Sequence, residues 1–412
     1  MQSVVKILSA NGLVVAGHMN ANDGPVKLTA QQESILEQTL RDPCTVIQGK
    51  AGAGKTTLIH ALVKRLGATA SAETFVHFLK LDPTKAVADG IAGFRGVRTP
   101  SALRRFVAIV VDEAFMVPAC YLALLDKAMR LALRSEKPFG GVRLVLVGDR
   151  HQLPPVINDS ILKSTLYARL APVVHTLCGS MRQRDDPEFV AFLDDVRGAI
   201  AYNRPLTLGG YLDHTLNRRP AGEFVGVTPT VKRALELNCA AAKEADVRYA
   251  LLGDVRDHVY EGCPVRVTRN IYGPSGKLLH FNGQLGTYVR PAAKTAGRTV
   301  QVDGVPFVGV KGASIVRIDG REVTISMQGK RHGVASAVWR TIHSLQGMTI
   351  NGVLHVDFTR YWRFDPRLFY VAITRVPRGS LLCVTGISSH DFDRWREARA
   401  RPPPAPKRTF KE

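Results

Sequence analysis

Cysteine is scarce in this chain of 412 residues, and its six cysteines are not paired along the sequence. None has the C-x-x-C spacing of a zinc module or belongs to the dense framework of a small secreted domain. Long apolar runs are also missing. The run near the N-terminus, 13–17, is too short for a secretory signal, and no later run approaches the length of a membrane span. We therefore expect a soluble, intracellular protein of a reducing compartment, with cytoplasm and nucleus left open, and no membrane partner.

Acidic residues are few relative to basic ones. The chain has 56 Lys and Arg against 35 Asp and Glu, a formal net charge of +21. Such an excess favours a polyanionic partner, because cationic side chains neutralise phosphates and release counterions. The hydrophobic content of 45% is that of an ordinary globular protein with room for two or three domains. Nucleic acid is the expected partner, and a basic surface that serves only solubility is the alternative.

The most informative motif that is present is a glycine-rich loop. Residues 49–56 read Gly-Lys-Ala-Gly-Ala-Gly-Lys-Thr, which fits G-x-x-x-x-G-K-[ST] between a strand pattern at 45–47 and a helix pattern at 58–63. The backbone N–H groups and the helix N-terminus can hold a polyphosphate, Lys55 can reach the β- and γ-phosphates, and the Thr56 hydroxyl can ligate Mg²⁺. We predict a site for ATP and Mg²⁺ formed by Gly49, Gly52, Ala53, Gly54, Lys55, Thr56 and Thr57.

Two further strand patterns end in polar residues that suit hydrolysis. After Val110-Val111, Asp112 can hold the Mg²⁺ and Glu113 can polarise a water aimed at the γ-phosphate. The strand pattern that ends at Gly148-Asp149 continues into a Pro-Pro loop, whose Gln152 can contact the γ-phosphate. We predict that the site hydrolyses the nucleotide as well as binding it.

The order of these blocks resembles the superfamily 1 helicases. Later blocks are similar to the same family: 177–183 to its motif IV, 341–349 to motif V, 370–375 to motif VI and 28–32 to its Q motif. The resemblance implies that Arg182 is an arginine finger, that Arg375 is a second cation at the γ-phosphate, that Gly347 contacts the nucleotide and that Gln32 reads the adenine edge. It also implies nucleic-acid contacts at motifs Ia, Ib and V and in the inserted domain: Thr84, Thr99, Ser101, Asn282, His343 and Ser344.

Within that superfamily, residues 262–270 and 281–286 look like the start of the SH3-like insert of the RecD, phage Dda and Pif helicases, a branch that moves 5′-to-3′ on DNA. That branch has a strand-splitting hairpin domain after motif Ib. Here only residues 102–106 separate Ser101 from the strand at Val107, so no hairpin fits. This short spacing and the sequence Val-Asp-Glu-Ala-Phe at residues 111–115 both resemble the RNA helicases of positive-strand RNA viruses. A viral-type RNA helicase, a translocase that does not unwind and an ATP-gated nucleic-acid clamp are the alternatives.

The expected fold is α/β, with two tandem RecA-like P-loop domains and a small SH3-like β-barrel inserted in the second. We expect ATP to bind at the interface of the two domains. We also expect a single strand of nucleic acid, DNA rather than RNA, to be drawn past the protein as ATP is hydrolysed. The motor is expected to be monomeric and to work with replication or repair proteins. The predicted segments are an N-terminal arm at 1–27, domain 1A at 28–172, domain 2A at 173–258 and 334–391, the insert 2B at 259–333 and a flexible basic tail at 392–412.

Overall fold

The chain divides into two compact units. The computed structural model describes residues 4–9, 28–66, 69–74, 106–155, 160–274, 278–293, 295–361 and 363–400. The first unit comprises residues 1–184 and 269–282, and the second comprises 185–268 and 283–412.

The first unit is built on a largely parallel sheet. Its strands are β1 (Val4–Ser9), β2 (Cys44–Gly49), β3 (Thr69–Thr74), β4 (Phe106–Val111), β5 (Arg143–Gly148) and β6 (Val173–Leu177), and its helices are α1 (Ala30–Arg41), α2 (Lys55–Arg65), α3 (Ala119–Leu133) and α4 (Thr165–Leu170). The strand order is β3-β1-β4-β5-β2-β6. Strands β2, β4, β5 and β6 are parallel, whereas β1 is antiparallel to both of its neighbours.

Helices bury both faces of this sheet. Along β4, Ile109 and Val111 pack in the cluster that contains α3, whereas Ala108 and Val110 pack in the cluster that contains α1 and α2. Successive side chains of a strand point to opposite faces, so a strand covered on both sides is apolar throughout. The continuous apolar run before Asp112 has this cause, and the α/β class expected from the sequence is confirmed.

The N-terminal segment is not an appended arm. The structure places β1 inside the sheet, hydrogen-bonded to β3 on one side and to β4 on the other. The prediction of an arm at 1–27 is therefore wrong for residues 4–9. Both partners of β1 lie far along the chain, and no local pattern near residue 4 identifies them.

The predicted boundary between residues 172 and 173 is also wrong. Strand β6 pairs in parallel with β2, with Thr45 opposite Val173 and Gly49 opposite Leu177. Residues 173–184 therefore belong to the first unit, and the boundary lies after Arg184. Ladder hydrogen bonds to β2 decide this assignment, and the order of motifs does not reveal them.

The second unit has helices around a parallel sheet and an extended β region. The helices are α5 (Pro187–Tyr202), α6 (Val231–Lys243), α7 (Pro366–Ile373) and α8 (Ser389–Ala400). The strands from residue 225 onward, including the hairpin β11-β12 that clusters with the first unit, are β7 (Val225–Thr228), β8 (Arg248–Leu251), β9 (Asp257–Tyr260), β10 (Pro264–Val267), β11 (Ile271–Tyr272), β12 (Leu278–His280), β13 (Leu285–Pro291), β14 (Ala296–Val302), β15 (Val305–Val310), β16 (Ser314–Ile318), β17 (Arg321–Ile325), β18 (Val334–Ser336), β19 (Trp339–Thr341), β20 (Leu354–Asp357) and β21 (Leu382–Thr385).

The parallel sheet of this unit has the order β19-β7-β20-β21. Every pairing in it is parallel, as expected for a second RecA-like domain. Strand β20 is buried along its whole length, from Leu354 to Asp357.

The inserted region is rich in strands but does not form the separate body predicted at 259–333. An antiparallel sheet has the order β17-β16-β13-β10-β18, while β14 and β15 join β8 and β9 in a second sheet. Strand β15 pairs in parallel with β8, which precedes residue 259. The pairings among the described residues of this region are two open sheets and the separate hairpin β11-β12, and an SH3-like barrel is not confirmed.

A buried amide connects the parallel sheet to the inserted strands. The Asn238 side chain on α6 accepts a hydrogen bond from Trp339 N at 2.9 Å and donates to Trp339 O at 3.2 Å. The same amide nitrogen lies 3.4 Å from Asp257 Oδ1, and Ser336 N donates to Asp257 Oδ2 at 2.8 Å. Asn238 is 3% exposed, so both backbone groups of Trp339 depend on it rather than on water.

We expect Asn238→Ala to destabilise the second unit by about 2–3 kcal/mol, because it leaves a buried donor and a buried acceptor without partners. The three tryptophans, Trp339, Trp362 and Trp395, all lie in the residue ranges of the second unit. Urea unfolding followed by tryptophan fluorescence therefore reports on that unit. Lys232→Ala, at an exposed position of the same helix, is the control and should leave the midpoint unchanged. Equal midpoints for both variants would contradict the assignment.

Candidate nucleotide and nucleic-acid sites

The phosphate loop has the predicted context of strand, loop and helix. Strand β2 ends at Gly49, and α2 begins at Lys55 with Gly54 as its N-cap. Gly52 and Gly54 have φ of +79° and +84°, a region that residues with a Cβ adopt rarely. Thr56 is exposed in the first turn of α2, where backbone N–H groups lack partners within the helix. The loop therefore has the geometry of an anion site at a helix N-terminus.

Lys55 lies over the loop that it is predicted to serve. Its side chain is buried, and Nζ donates to Gly49 O at 2.8 Å and to Lys50 O at 3.0 Å. These carbonyls hold the ammonium group above the loop. Phosphate oxygens are stronger acceptors for a charged donor than carbonyls are, so a bound polyphosphate would compete for Nζ.

Asp112 and Asp149 follow the ends of neighbouring strands. Strand β5 lies between β4 and β2, with Val111 opposite Leu146 and Gln48 opposite Gly148. Asp112, Asp149 and the phosphate loop therefore emerge at the carboxyl edge of one parallel sheet, where α/β proteins bind ligands.

The segment after β4 has a constrained backbone. Glu113 has φ 50° and ψ 42°, the left-handed region, and its N–H donates to Asp112 Oδ1 at 3.0 Å. A Cβ added to Gly148 would lie 2.9 Å from Phe115 Cδ2, so glycine at the end of β5 lets this segment approach closely. Non-glycine residues hold such a conformation only where their surroundings impose it, and they concentrate at functional sites.

The loop after β5 is buried at the residue predicted to sense the γ-phosphate. Asp149 and Gln152 are 2% and 3% exposed. The Asp149 carboxylate accepts from His151 N at 3.1 Å, and Asp149 O accepts from Gln152 N at 3.1 Å. Asp149 therefore fixes the turn that orients Gln152, a positioning role that motif reading did not assign.

Gln32 has a structural partner that the sequence analysis missed. Its Oε1 accepts from Thr29 N at 2.9 Å, while Thr29 Oγ1 accepts from Gln32 N at 3.2 Å, which is a capping box at the start of α1. A Cβ added to Gly54 would lie 2.5 Å from Gln32 Nε2. Thr-x-x-Gln at 29–32 is the signal that could have revealed this arrangement. The adenine contact stays a prediction.

Arg182 lies in the same unit as the phosphate loop. Its segment follows β6, and Met181 N donates to Gly52 O at 2.7 Å. The prediction that Arg182 belongs to the second domain is therefore wrong, because β6 pairs with β2. Gln183, next to it, is fully buried, and no motif reading singled it out.

Arg375 follows α7 in the second unit. It is 2% exposed, with Nε donating to Val371 O at 2.7 Å and Nη2 donating to Thr374 Oγ1 at 3.0 Å. Gly347 has φ +79°, and nothing lies within 4 Å of a Cβ added there, so only the backbone conformation requires glycine. The nucleotide roles of both residues stay predictions.

The candidates for nucleic-acid contact are only partly described. Thr84, Thr99 and Ser101 lie outside the described residues. The others are Asn282, whose N donates to Asn270 Oδ1 at 2.8 Å, Ser344, whose hydroxyl donates to Thr341 O at 2.7 Å, and the half-buried His343. Burial lowers the pKa of His343, which favours the neutral form of its ring.

The donor set at the phosphate loop fits a magnesium ion. Thr56 offers a hydroxyl and Asp112 a carboxylate, and the phosphates of a nucleotide would add further oxygens, the ligands that Mg²⁺ prefers. Among the described residues, no group of three or more His, Cys, Asp and Glu side chains could hold a metal ion by itself.

Comparison with known proteins agrees with this geometry. A family model described as an AAA domain matches residues 27–204. The ATP-dependent DNA helicase Pif1 of Bdellovibrio bacteriovorus is 25% identical over 405 residues, which cover 88% of each chain. The chain is therefore similar to a Pif1 helicase over most of its length. The mouse ATP-dependent DNA helicase PIF1 is 30% identical over 193 residues, but the match covers 42% of this chain and 29% of that protein.

Solved structures show the same fold for this chain. Bacteroides Pif1 bound to ssDNA matches with a TM-score of 0.65 and 19% identity, covering 91% of this chain and 98% of that one. The complex of Bacteroides Pif1 with ADP-AlF3 and ssDNA matches with a TM-score of 0.64 and 18% identity, covering 90% and 98%. Among the residues described here, no helix is both long and apolar enough to cross a membrane.

Proposed function

We propose that this chain is an ATP-dependent DNA helicase that moves 5′-to-3′ along single-stranded DNA. One observation carries the proposal: the phosphate loop, Asp112-Glu113 and Asp149 with Gln152 follow the adjacent parallel strands β2, β4 and β5 at one edge of the sheet. That arrangement supports hydrolysis of a nucleoside triphosphate, and the similarity to Pif1 proteins supports its use in a DNA motor.

Each site residue has a role in this proposal. Lys55 and the loop N–H groups bind the phosphates, Glu113 orients the attacking water and accepts its proton, and Gln152 contacts the γ-phosphate. Arg182 and Arg375 supply positive charge as the γ-phosphoryl group transfers. Magnesium, held by Thr56 and Asp112, would neutralise charge on the phosphate oxygens.

We propose that hydroxyl, amide and imidazole side chains bind the DNA through its phosphates and do not contact the bases. The residues are Thr84, Thr99, Ser101, Asn282, His343 and Ser344. The net charge of +21 supports a sequence-independent contribution to this binding. We further propose that the motor works as a monomer alongside replication or repair proteins.

Unwinding assays with matched duplexes test the direction and the substrate. We expect the purified chain with ATP to separate a DNA duplex that carries a 5′ single-stranded tail, and to leave the same duplex with a 3′ tail paired. Single-stranded DNA should stimulate ATP hydrolysis more than RNA of the same sequence does. Separation of only the 3′-tailed duplex, or stimulation by RNA alone, would contradict the proposal.

A translocase that does not unwind is the second candidate. Only residues 102–105 separate Ser101 from β4, which begins at Phe106, and these are too few for a strand-splitting hairpin. Hydrolysis stimulated by single-stranded DNA, with displacement of a bound protein block but no strand separation from either tail, would favour this candidate.

A further inference from the structure

A short turn after β6 packs on the phosphate loop. We name residues Gly179–Gln183 the loop clamp. A Cβ added to Gly52 would lie 2.8 Å from Arg182 Cβ, 3.0 Å from Gln183 Oε1 and 3.1 Å from Ser180 Oγ. The clamp therefore surrounds Gly52 with three of its side chains, and the loop cannot move there without moving the clamp.

A backbone hydrogen bond sets the orientation of one loop peptide. Met181 N donates to Gly52 O at 2.7 Å, and on the other side of the same peptide bond Ala53 N donates to Lys50 O at 3.2 Å. The peptide unit is planar and trans, so its carbonyl and its N–H point in opposite directions. Since the clamp fixes the Gly52 carbonyl, it also turns the Ala53 N–H toward the interior of the loop.

Two side chains hold the clamp in its own conformation. The Ser180 hydroxyl donates to Gln183 Oε1, and Gln183 N donates back to Ser180 Oγ at 3.3 Å. Gln183 is fully buried beside the loop. Buried polar groups that satisfy one another define a single local geometry, and they lose it when one member is removed.

We propose that Ser180 and Gln183 are positioning residues that hold the phosphate loop ready for the diphosphate of a nucleotide. They act through Met181 N on the Gly52–Ala53 peptide and contact no substrate themselves. The inference rests on the proposed function of the loop as a nucleotide site, and it goes further by naming the contact that preorganises that site. Without the clamp, the loop would have to become ordered when a nucleotide binds. The lost conformational entropy would make the binding free energy less favourable, so the affinity falls for ADP as well as for ATP.

The test measures ADP affinity of the full-length chain with ADP labelled with an N-methylanthraniloyl group. We expect Ser180→Ala and Gln183→Leu to weaken binding about tenfold each, the effect of one lost buried hydrogen bond. Ser180→Thr keeps the hydroxyl and should restore wild-type affinity. Gln301→Leu, at an exposed position of β14, is the matched control.

Two further measurements separate positioning from a general loss of structure. Without nucleotide, affinity for single-stranded DNA and the far-UV circular dichroism spectrum should be unchanged in both clamp variants. The rise in melting temperature on adding ADP should shrink, because that rise depends on the dissociation constant. If wild type binds labelled ADP and Gln183→Leu binds it equally well, the clamp proposal is wrong; if wild type binds none, the proposed function fails first.

Discussion

Lys55→Ala is expected to lower ATP hydrolysis stimulated by single-stranded DNA at least about a hundredfold, because it removes a preorganised cation at the phosphates. Nζ lies over the loop, held by Gly49 O and Lys50 O, so the substitution removes the charge at the loop itself. Binding of single-stranded DNA without nucleotide should persist, since Lys55 is not among the proposed nucleic-acid contacts. Steady-state phosphate release and fluorescence anisotropy of a labelled oligonucleotide measure the two effects.

Lys64→Ala is the matched control for this variant. Lys64 is exposed in the last turn of the same helix, α2, and the substitution removes the same charge. Its hydrolysis rate should equal that of wild type. If Lys55→Ala retained ATP hydrolysis, the phosphate loop would have no role in the proposed mechanism. If both variants lost hydrolysis, the cause would be the net charge or the stability of the helix instead.

Arg375→Ala is expected to reduce hydrolysis about a thousandfold, within the range measured for arginine fingers, while nucleotide affinity changes much less. The reason is that the guanidinium would act mainly on charge that develops as the γ-phosphoryl group transfers. Single-turnover hydrolysis at saturating ATP and DNA measures the chemical step, and equilibrium binding of labelled ADP measures the ground state.

Arg375 is buried and bonded to Val371 O and Thr374 Oγ1, so its loss can also affect folding. Tryptophan fluorescence during urea unfolding reports on the second unit and detects such an effect. Arg378→Ala, at an exposed position nearby, is the control and should retain hydrolysis. Unchanged single-turnover hydrolysis in a folded Arg375→Ala variant would rule out Arg375 as an arginine finger.

Local patterns in the sequence predicted the strand and helix on either side of the phosphate loop and the strands that end before Asp112 and Asp149. The glycine spacing at 49–56, the apolar run before Asp112 and the run before Asp149 each lie within one strand and the loop that follows it. The central residues of all three strands are buried and mostly apolar, so the polar residues that follow the strands stand out. The meeting of these ends at one edge follows from the parallel sheet.

Patterns that depend on distant partners were missed or assigned wrongly. The place of β1 in the sheet depends on β3 and β4, and the place of Arg182 depends on the pairing of β6 with β2. Residues 177–183 resemble motif IV of the family, but this resemblance does not indicate which sheet the preceding strand joins. Gln183 and Asn238 are ordinary polar residues in the sequence, and only their buried partners give them a role.

The sequence by itself determined the local elements of the proposed nucleotide site, because a phosphate loop and the carboxylates at strand ends depend mainly on their immediate neighbours in the chain. Tertiary structure alone decided where the two units divide, how the turn after β6 packs on Gly52 and how an amide on α6 supports the backbone of β19. The physical reason is that strand pairing and the burial of polar groups depend on partners far along the chain, whose approach local propensity does not specify.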